Sequence, residues 1–206
     1  MKKIIFAIAG AAVCASMLLT ACGAAENVTY TRSKVDSNGK FTCELLGFGA
    51  DFDTDVWTFY TDDQIAAENH ASGASDEQLN AALKKNAAIQ DMVATQESGV
   101  NVMLIYEDTN VSKLGNISEE AYINGSKEGL VEQFADIMDN VNSKTTTVTV
   151  AGVTHQALDV SGEAYGVSVY GRYICVKKGN LMGLISINAF SEQEIKDITA
   201  MFYALS

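Results

Sequence analysis

Thr145-Thr146-Thr147-Val148-Thr149-Val150 and Val153-Thr154-His155-Gln156-Ala157-Leu158-Asp159-Val160 are two β-rich runs separated only by Ala151-Gly152. Two more runs follow at once, Tyr165 to Val176 and Leu181 to Ala189. Parallel neighbours need a crossover of a dozen residues or more, and no such segment separates these runs. The four therefore predict an antiparallel meander.

Working outward, Val100 to Tyr106 is apolar at both strand parities: Val102, Leu104 and Tyr106 on one face, Met103 and Ile105 on the other. A strand apolar on both sides is covered on both sides, which predicts a central strand. Val28 to Arg32 and Phe41 to Leu45 alternate around the turn Asp36-Ser37-Asn38-Gly39 and predict a hairpin. A short strand is predicted at Val56 to Tyr60. Thr61-Asp62-Asp63-Gln64 and Ser75-Asp76-Glu77-Gln78 are capping boxes, in which each end satisfies a backbone N–H of the other. The first opens a helix to about His70. The second opens a helix with Leu79, Ala82, Leu83, Ile89 and Val93 as its stripe, ending before Gly99. Ser118 caps a third, with Leu130, Phe134, Ile137 and Val141 facing the core. Ser191-Glu192-Gln193-Glu194 starts a last helix burying Ile195, Ile198, Phe202 and Leu205. The predicted class is α+β: an α/β/α sandwich around a mainly antiparallel central sheet.

The N-terminal residues have a different logic. Met1-Lys2-Lys3 is charged, Ile4 to Leu19 is apolar, and Leu19-Thr20-Ala21-Cys22 closes the run with small residues. That is the layout of a secretory signal. The apolar run falls short of the ~20 residues of a spanning helix and lacks a positive flank behind it. A free cysteine at 22 would leave the spacing unexplained. Leu19 to Cys22 resembles the lipobox of bacterial lipoproteins, in which the thiol carries a diacylglycerol and becomes the first mature residue. The expected division is residues 1–21 as lipoprotein signal, 22–27 as lipidated tether, and 28–206 as one globular domain. The expected place is the outer face of the cell membrane, held by lipid on Cys22. A five-residue tether spans at most about 18 Å, so the domain sits close to that membrane.

The chain has 206 residues, 14 Lys+Arg and 26 Asp+Glu. Lys2 and Lys3 leave with the signal, so 12 cations face 26 acids in the mature chain, a net charge of −14. A surface this acidic repels nucleic acid and anionic lipid head groups. Cys14 leaves as well, and Cys22 takes lipid. Cys43 and Cys175 share strand parity with apolar neighbours, which suits buried thiols. An exported location also permits a disulfide between them.

Catalytic signatures are missing from the pattern. The histidines are His70 and His155. Gly166-Val167-Ser168-Val169-Tyr170 fails the nucleophile-elbow pattern at its last position. No His-Glu-x-x-His or Cys-x-x-Cys occurs, and Gly47-Phe48-Gly49 leads into acids that would repel phosphate. No catalytic residue and no cofactor is assigned. Asp51, Asp53 and Asp55 alternate as calcium-ligating acids do, but Val56 stands where an EF-hand loop needs glycine and Asp62 where it needs glutamate. They are the candidate metal residues. Trp57 shares parity with Phe59 at a strand start and reads as a core anchor; exposed, it would be a ligand platform. Three functions remain: a binding or accessory module acting through protein contacts in the envelope, a divalent-cation-dependent binder, and a hydrolase without a recognisable motif.

The order of elements resembles the PsbP-like fold found in lipoproteins of Gram-positive, Firmicutes-type gut bacteria. The resemblance lies in Tyr30 to Gly47, Trp57-Thr58-Phe59-Tyr60-Thr61-Asp62, Gly99-Val100-Asn101-Val102, Ala151-Gly152-Val153 and Val176-Lys177-Lys178-Gly179-Asn180-Leu181. It covers most of residues 28–206. The sequence departs before the tryptophan, where Asp53-Thr54-Asp55-Val56 stands in place of the family's usual proline and glycine. The resemblance implies a fold and a surface location and no catalytic residues. The plant members it is similar to are accessory subunits of a metal-containing complex.

Overall fold

The structure, a computed structural model, describes residues 23–205. The signal segment and Cys22 lie outside the described residues. The chain first forms β1 (Lys34–Val35), β2 (Lys40–Cys43), β3 (Phe48–Asp51) and β4 (Trp57–Phe59). Two helices follow, α1 (Asp62–Glu68) and α2 (Asp76–Asn86), then β5 (Ala88–Gln96), β6 (Asn101–Asp108) and α3 (Glu119–Ala135). The meander is β7 (Asp139–Val150), β8 (Val153–Ala164), β9 (Val167–Lys178) and β10 (Leu181–Ala189). The chain closes with α4 (Glu192–Ala200) and β11 (Phe202–Ala204).

A seven-stranded sheet has the order β4-β5-β6-β10-β9-β8-β7, and a four-stranded sheet the order β1-β2-β3-β11. All pairings among the described residues are antiparallel. The meander is as the sequence predicts, and β6 is indeed central. Its Leu104 pairs with Ile185, which pairs with Ile174; its Ile105 pairs with Leu184, which pairs with Cys175. Each row belongs to a different core. The first face is covered by α1, α2, α4 and the small sheet, with Ile65, Leu79, Ile198, Phe41 and Phe48 buried against it. The second lies under α3, with Tyr122, Ile123, Leu130 and Phe134. Each such side chain contributes about 1.5–3 kcal/mol on burial. The fold is thus α+β with a mainly antiparallel central sheet, and a small second sheet shares one covering layer with helices.

Four expectations fail locally. The second helix does not run toward Gly99. It ends at Asn86, with Ala87 left-handed at φ 63, and residues 88–96 form β5. A spacing of four fits a helix face, but it is also even and fits one face of a strand. A bulge between Gln90 and Met92 then shifts the register, so Ile89 pairs with Tyr106 and Val93 with Met103 on opposite faces. The third helix stops at Ala135; Ile137 is 47% exposed and Val141 lies in β7. The edge strand β7 starts at Asp139, because its polar first half pairs with β8 without needing an apolar face. Phe202 lies beyond the last helix and pairs in β11 with Ala50 of β3. The opening hairpin keeps its predicted turn but pairs Lys34–Val35, not Val28–Arg32, with β2.

Candidate functional site

The β5 bulge leaves Asp91 without a cross-strand partner, and bulges commonly re-aim a side chain in this way. Asp91 is 1% exposed. Its carboxylate accepts the Tyr30 hydroxyl, the Ser33 hydroxyl, and the Ser33 N–H at 3.2 Å. Burial pushes the Asp91 carboxyl up from its ordinary range, against the pull of the Ser33 and Tyr30 hydrogen bonds. Burial also pushes the Tyr30 phenol far up, helped by Asp91. Arg32 lies beside them. Its backbone N–H donates to Asp76 at 2.8 Å, and its Nη1 donates to Asp62 at 2.8 Å and to the Ala74 carbonyl at 3.0 Å. The buried Arg32 Nε has no hydrogen-bond partner among the described residues. A cavity of about 640 Å³ opens here, with Arg32, Ser33, Tyr60, Asp62, Asp76 and Asp91 in its wall. A fixed guanidinium among carboxylates can hold a polar ligand. Asp91, Tyr30 and Ser33 are committed to one another and offer no free nucleophile.

A smaller cavity, about 300 Å³, lies between the outer strands of the meander and α4. Its wall includes Lys144, Tyr170, Glu192 and Lys196. Arg172 grips Asp159 there by two parallel bonds of 2.7 and 2.8 Å, the strong fork geometry of an ion pair.

At one end of the large sheet, residues 23–28 are strapped to the domain. The Gly23 carbonyl accepts the Asn116 N–H at 3.2 Å. Asn110 both accepts the Ala25 N–H at 3.0 Å and donates to the Ala25 carbonyl at 3.1 Å. Asn180 donates its N–H to the Glu26 carbonyl at 2.8 Å and accepts the Val28 N–H at its side-chain oxygen. Gly179 makes room for this strap: a Cβ there would stand 2.5 Å from Val28 and 2.6 Å from the Glu26 carbonyl. Of the residues read as a tether, 23–27 lie along the domain.

The residues singled out by sequence do not converge. Cys22 lies outside the described residues. Asp51 accepts a bond from the Tyr203 hydroxyl at 3.1 Å. Asp53 accepts the Asp55 N–H at 2.9 Å and so holds its own turn. Among the described residues no three His, Cys, Asp or Glu side chains gather as metal ligands. Trp57 is 6% exposed, with its ring edge-on to Phe52 at 5.2 Å, a core anchor. His70 is exposed just past α1, while His155 Nδ1 lies 2.9 Å from Glu119. Glu119 also accepts the N–H groups of Gln156 and Lys177, at 3.2 and 3.0 Å. Cys43 and Cys175 are free thiols in the two different cores. Burial pushes the Cys43 thiol up to about 11 and Cys175 well above its usual value. Asp91 escaped the sequence reading. Its signal was a lone acid inside the apolar run Ile89 to Ala94.

No family model matches the chain, and no curated protein does. Three solved structures follow a similar course. Cyanobacterial PsbP (CyanoP) from Synechocystis is 9% identical, with a TM-score of 0.45 over 91% of this chain and 99% of its own. A protein of Bacteroides thetaiotaomicron is 11% identical, with a TM-score of 0.40 over 85% of this chain and 49% of its own. LpqN of Mycobacterium tuberculosis, described as involved in cell envelope biogenesis, is 9% identical, with a TM-score of 0.36 over 59% of this chain and 80% of its own. The class of this protein, α+β on an antiparallel sheet, rests on its own strands and helices.

Proposed function

We propose that this protein is a non-catalytic binding or accessory module, held by lipid on Cys22 at the outer face of a membrane and acting through contacts with an envelope partner. The observation that carries this reading is the strap. Gly23, the residue after Cys22, is already bonded to Asn116. A lipid on Cys22 would therefore hold the folded domain itself, without a stalk. The candidate reactive groups support a non-catalytic role, since both thiols are buried with raised pKa values, and His155 is bound to Glu119. Among the described residues no helix is long and apolar enough to cross a membrane.

Detergent phase partitioning of the wild type and of Cys22→Ala tests the anchor. The wild type should enter the detergent phase at its mature size. The variant should stay as unprocessed precursor or leave the membrane. Equal partitioning at the same mature size would sink the reading. Cross-linking in the native membrane, followed by identification of the linked protein, then names the partner.

A further inference from the structure

We infer that two copies of this chain join edge to edge through β7, antiparallel, with Thr147 of one copy opposite Thr147 of the other.

β7 is an edge of the seven-stranded sheet, with β8 as its neighbour on one side. Unpaired N–H and C=O groups on an edge recruit other strands, and native edges are blunted by shortness, proline, charge or a bulge. β7 has 12 residues, and the chain has no proline. Its irregularity lies between Asp139 and Asn142, and from Asn142 to Val150 the pairing with β8 is unbroken.

The turn after β7 decides which backbone groups stay open. Ala151 and Gly152, at φ 53 and 81, are the two residues between the strands. In such a hairpin the closing pair, here Val150 and Val153, exchanges both hydrogen bonds. Alternation then turns the N–H and C=O groups of Lys144, Thr146 and Val148 to β8 as well. Those of Ser143, Thr145, Thr147 and Thr149 point away from β8 at the open edge. Thr147 and Thr149 are exposed.

Charge selects the occupant. Two copies of a chain with 26 acids and 14 cations repel one another over most of their surface. Residues 140–158, which hold most of β7 and the first half of β8, contain no Asp or Glu, and Lys144 is their one Lys or Arg. The strand is also its own complement. With Thr147 on a two-fold axis, Thr145 of each copy meets Thr149 of the other, so open groups face open groups, and each such pair exchanges two bonds. Threonines are favourable cross-strand neighbours, and Lys144 falls opposite Val150 and not opposite its own copy. Such an axis stands normal to the sheet, so both copies turn the same face to a membrane.

The test uses the full chain in native membranes, treated with a mild thiol oxidant. In Thr147→Cys the paired Cα atoms would lie about 5.5 Å apart, within the roughly 4.4–6.8 Å that a disulfide spans. This variant should give a disulfide-linked dimer of twice the mass of the chain. The parent chain, with Cys43 and Cys175 buried, and Val153→Cys, at an exposed position on β8, should not. Two charge variants of Thr147→Cys then read the register. Thr145→Lys with Thr149→Lys sets like charges opposite each other and should lower the dimer at least about fivefold. Thr145→Lys with Thr149→Glu sets opposite charges there and should keep it, and the melting curves of the two should coincide. Absence of the dimer from Thr147→Cys, or as much of it from Val153→Cys, would overturn the inference. Equal yields from the two charge variants would overturn the register and the inference with it. A link from residue 147 to a different protein would give the edge to a partner's strand and overturn the second copy as its occupant.

Discussion

Tyr30 lies outside every strand, yet its hydroxyl is locked to Asp91 in the bulge of β5, and its ring stands edge-on to Tyr106 at 5.2 Å. The segment before the first strand is thereby nailed to the centre of the large sheet. The raised Asp91 pKa means that the folded state holds this proton more tightly than the unfolded chain does. Its ionisation thus works against folding. The contribution to stability is fully present below the ordinary carboxylate value, about 3.9, and is lost as pH rises through the folded value. Asp91→Asn should melt at or above the wild type at neutral pH and show a weaker pH dependence. Asp91→Ala, which leaves the Tyr30 hydroxyl buried and unpaired, should cost about 1–3 kcal/mol. Thermal melts across acid to neutral pH separate the two. An Asn variant as unstable as the Ala variant at neutral pH would show that the site needs the charge.

Glu119 has the opposite sign. Burial raises its carboxyl, but the bonds from His155, Lys177 and Gln156 outweigh burial and hold it below the ordinary value. Its contribution is present above the unfolded value and is lost as pH falls through the folded one. Glu119→Ala orphans the N–H groups of Gln156 and Lys177 and should cost about 1–3 kcal/mol at neutral pH. Denaturant titrations should show the gap from wild type narrowing in acid. A gap that widens there would assign the loss to packing.

Trp57 packs on Phe52, whose ring meets Phe59 at 5.3 Å. Trp57→Ala should cost about 3–5 kcal/mol. At about 2–4 °C per kcal/mol this is a large drop in melting temperature. Wild-type fluorescence should be blue-shifted and poorly quenched by iodide. Red-shifted, readily quenched emission would place the ring at the surface.

Gly179 has φ +57, and any side chain there meets the strap. Gly179→Ala should loosen residues 23–28, and Asn180→Ala should do the same by removing the acceptor of the Val28 N–H. The readout is amide hydrogen exchange at Val28, which should speed up in both variants while the β6 and β10 amides stay protected. Unchanged exchange at Val28 would show that the strap is held by other contacts.

Much of this fold was legible because its strongest signals are local. The boxes at Thr61 and Ser75 form as written, and the runs from Val153 to Ala189 are strands joined by two-residue turns. Failures came where a local pattern was ambiguous or a partner was distant. Ile89 and Val93 fit either period, and only pairing with β6 decides. Strand β11 is short, and its partner β3 lies at the other end of the chain. The polar cavity was hidden for a related reason. Arg32, Asp62, Asp76 and Asp91 come from four separate segments, and no spacing in the sequence announces their meeting.

The strap also sets an order of events for a chain that emerges from its N-terminus. Val28 waits for Asn180, which is 152 residues further on. During synthesis or export, Gly23 and Ala25 therefore wait for Asn116 and Asn110 near the middle of the chain, and Glu26 and Val28 for Asn180. The strap thus closes in stages, and its last bonds form only when the final third of the chain has arrived.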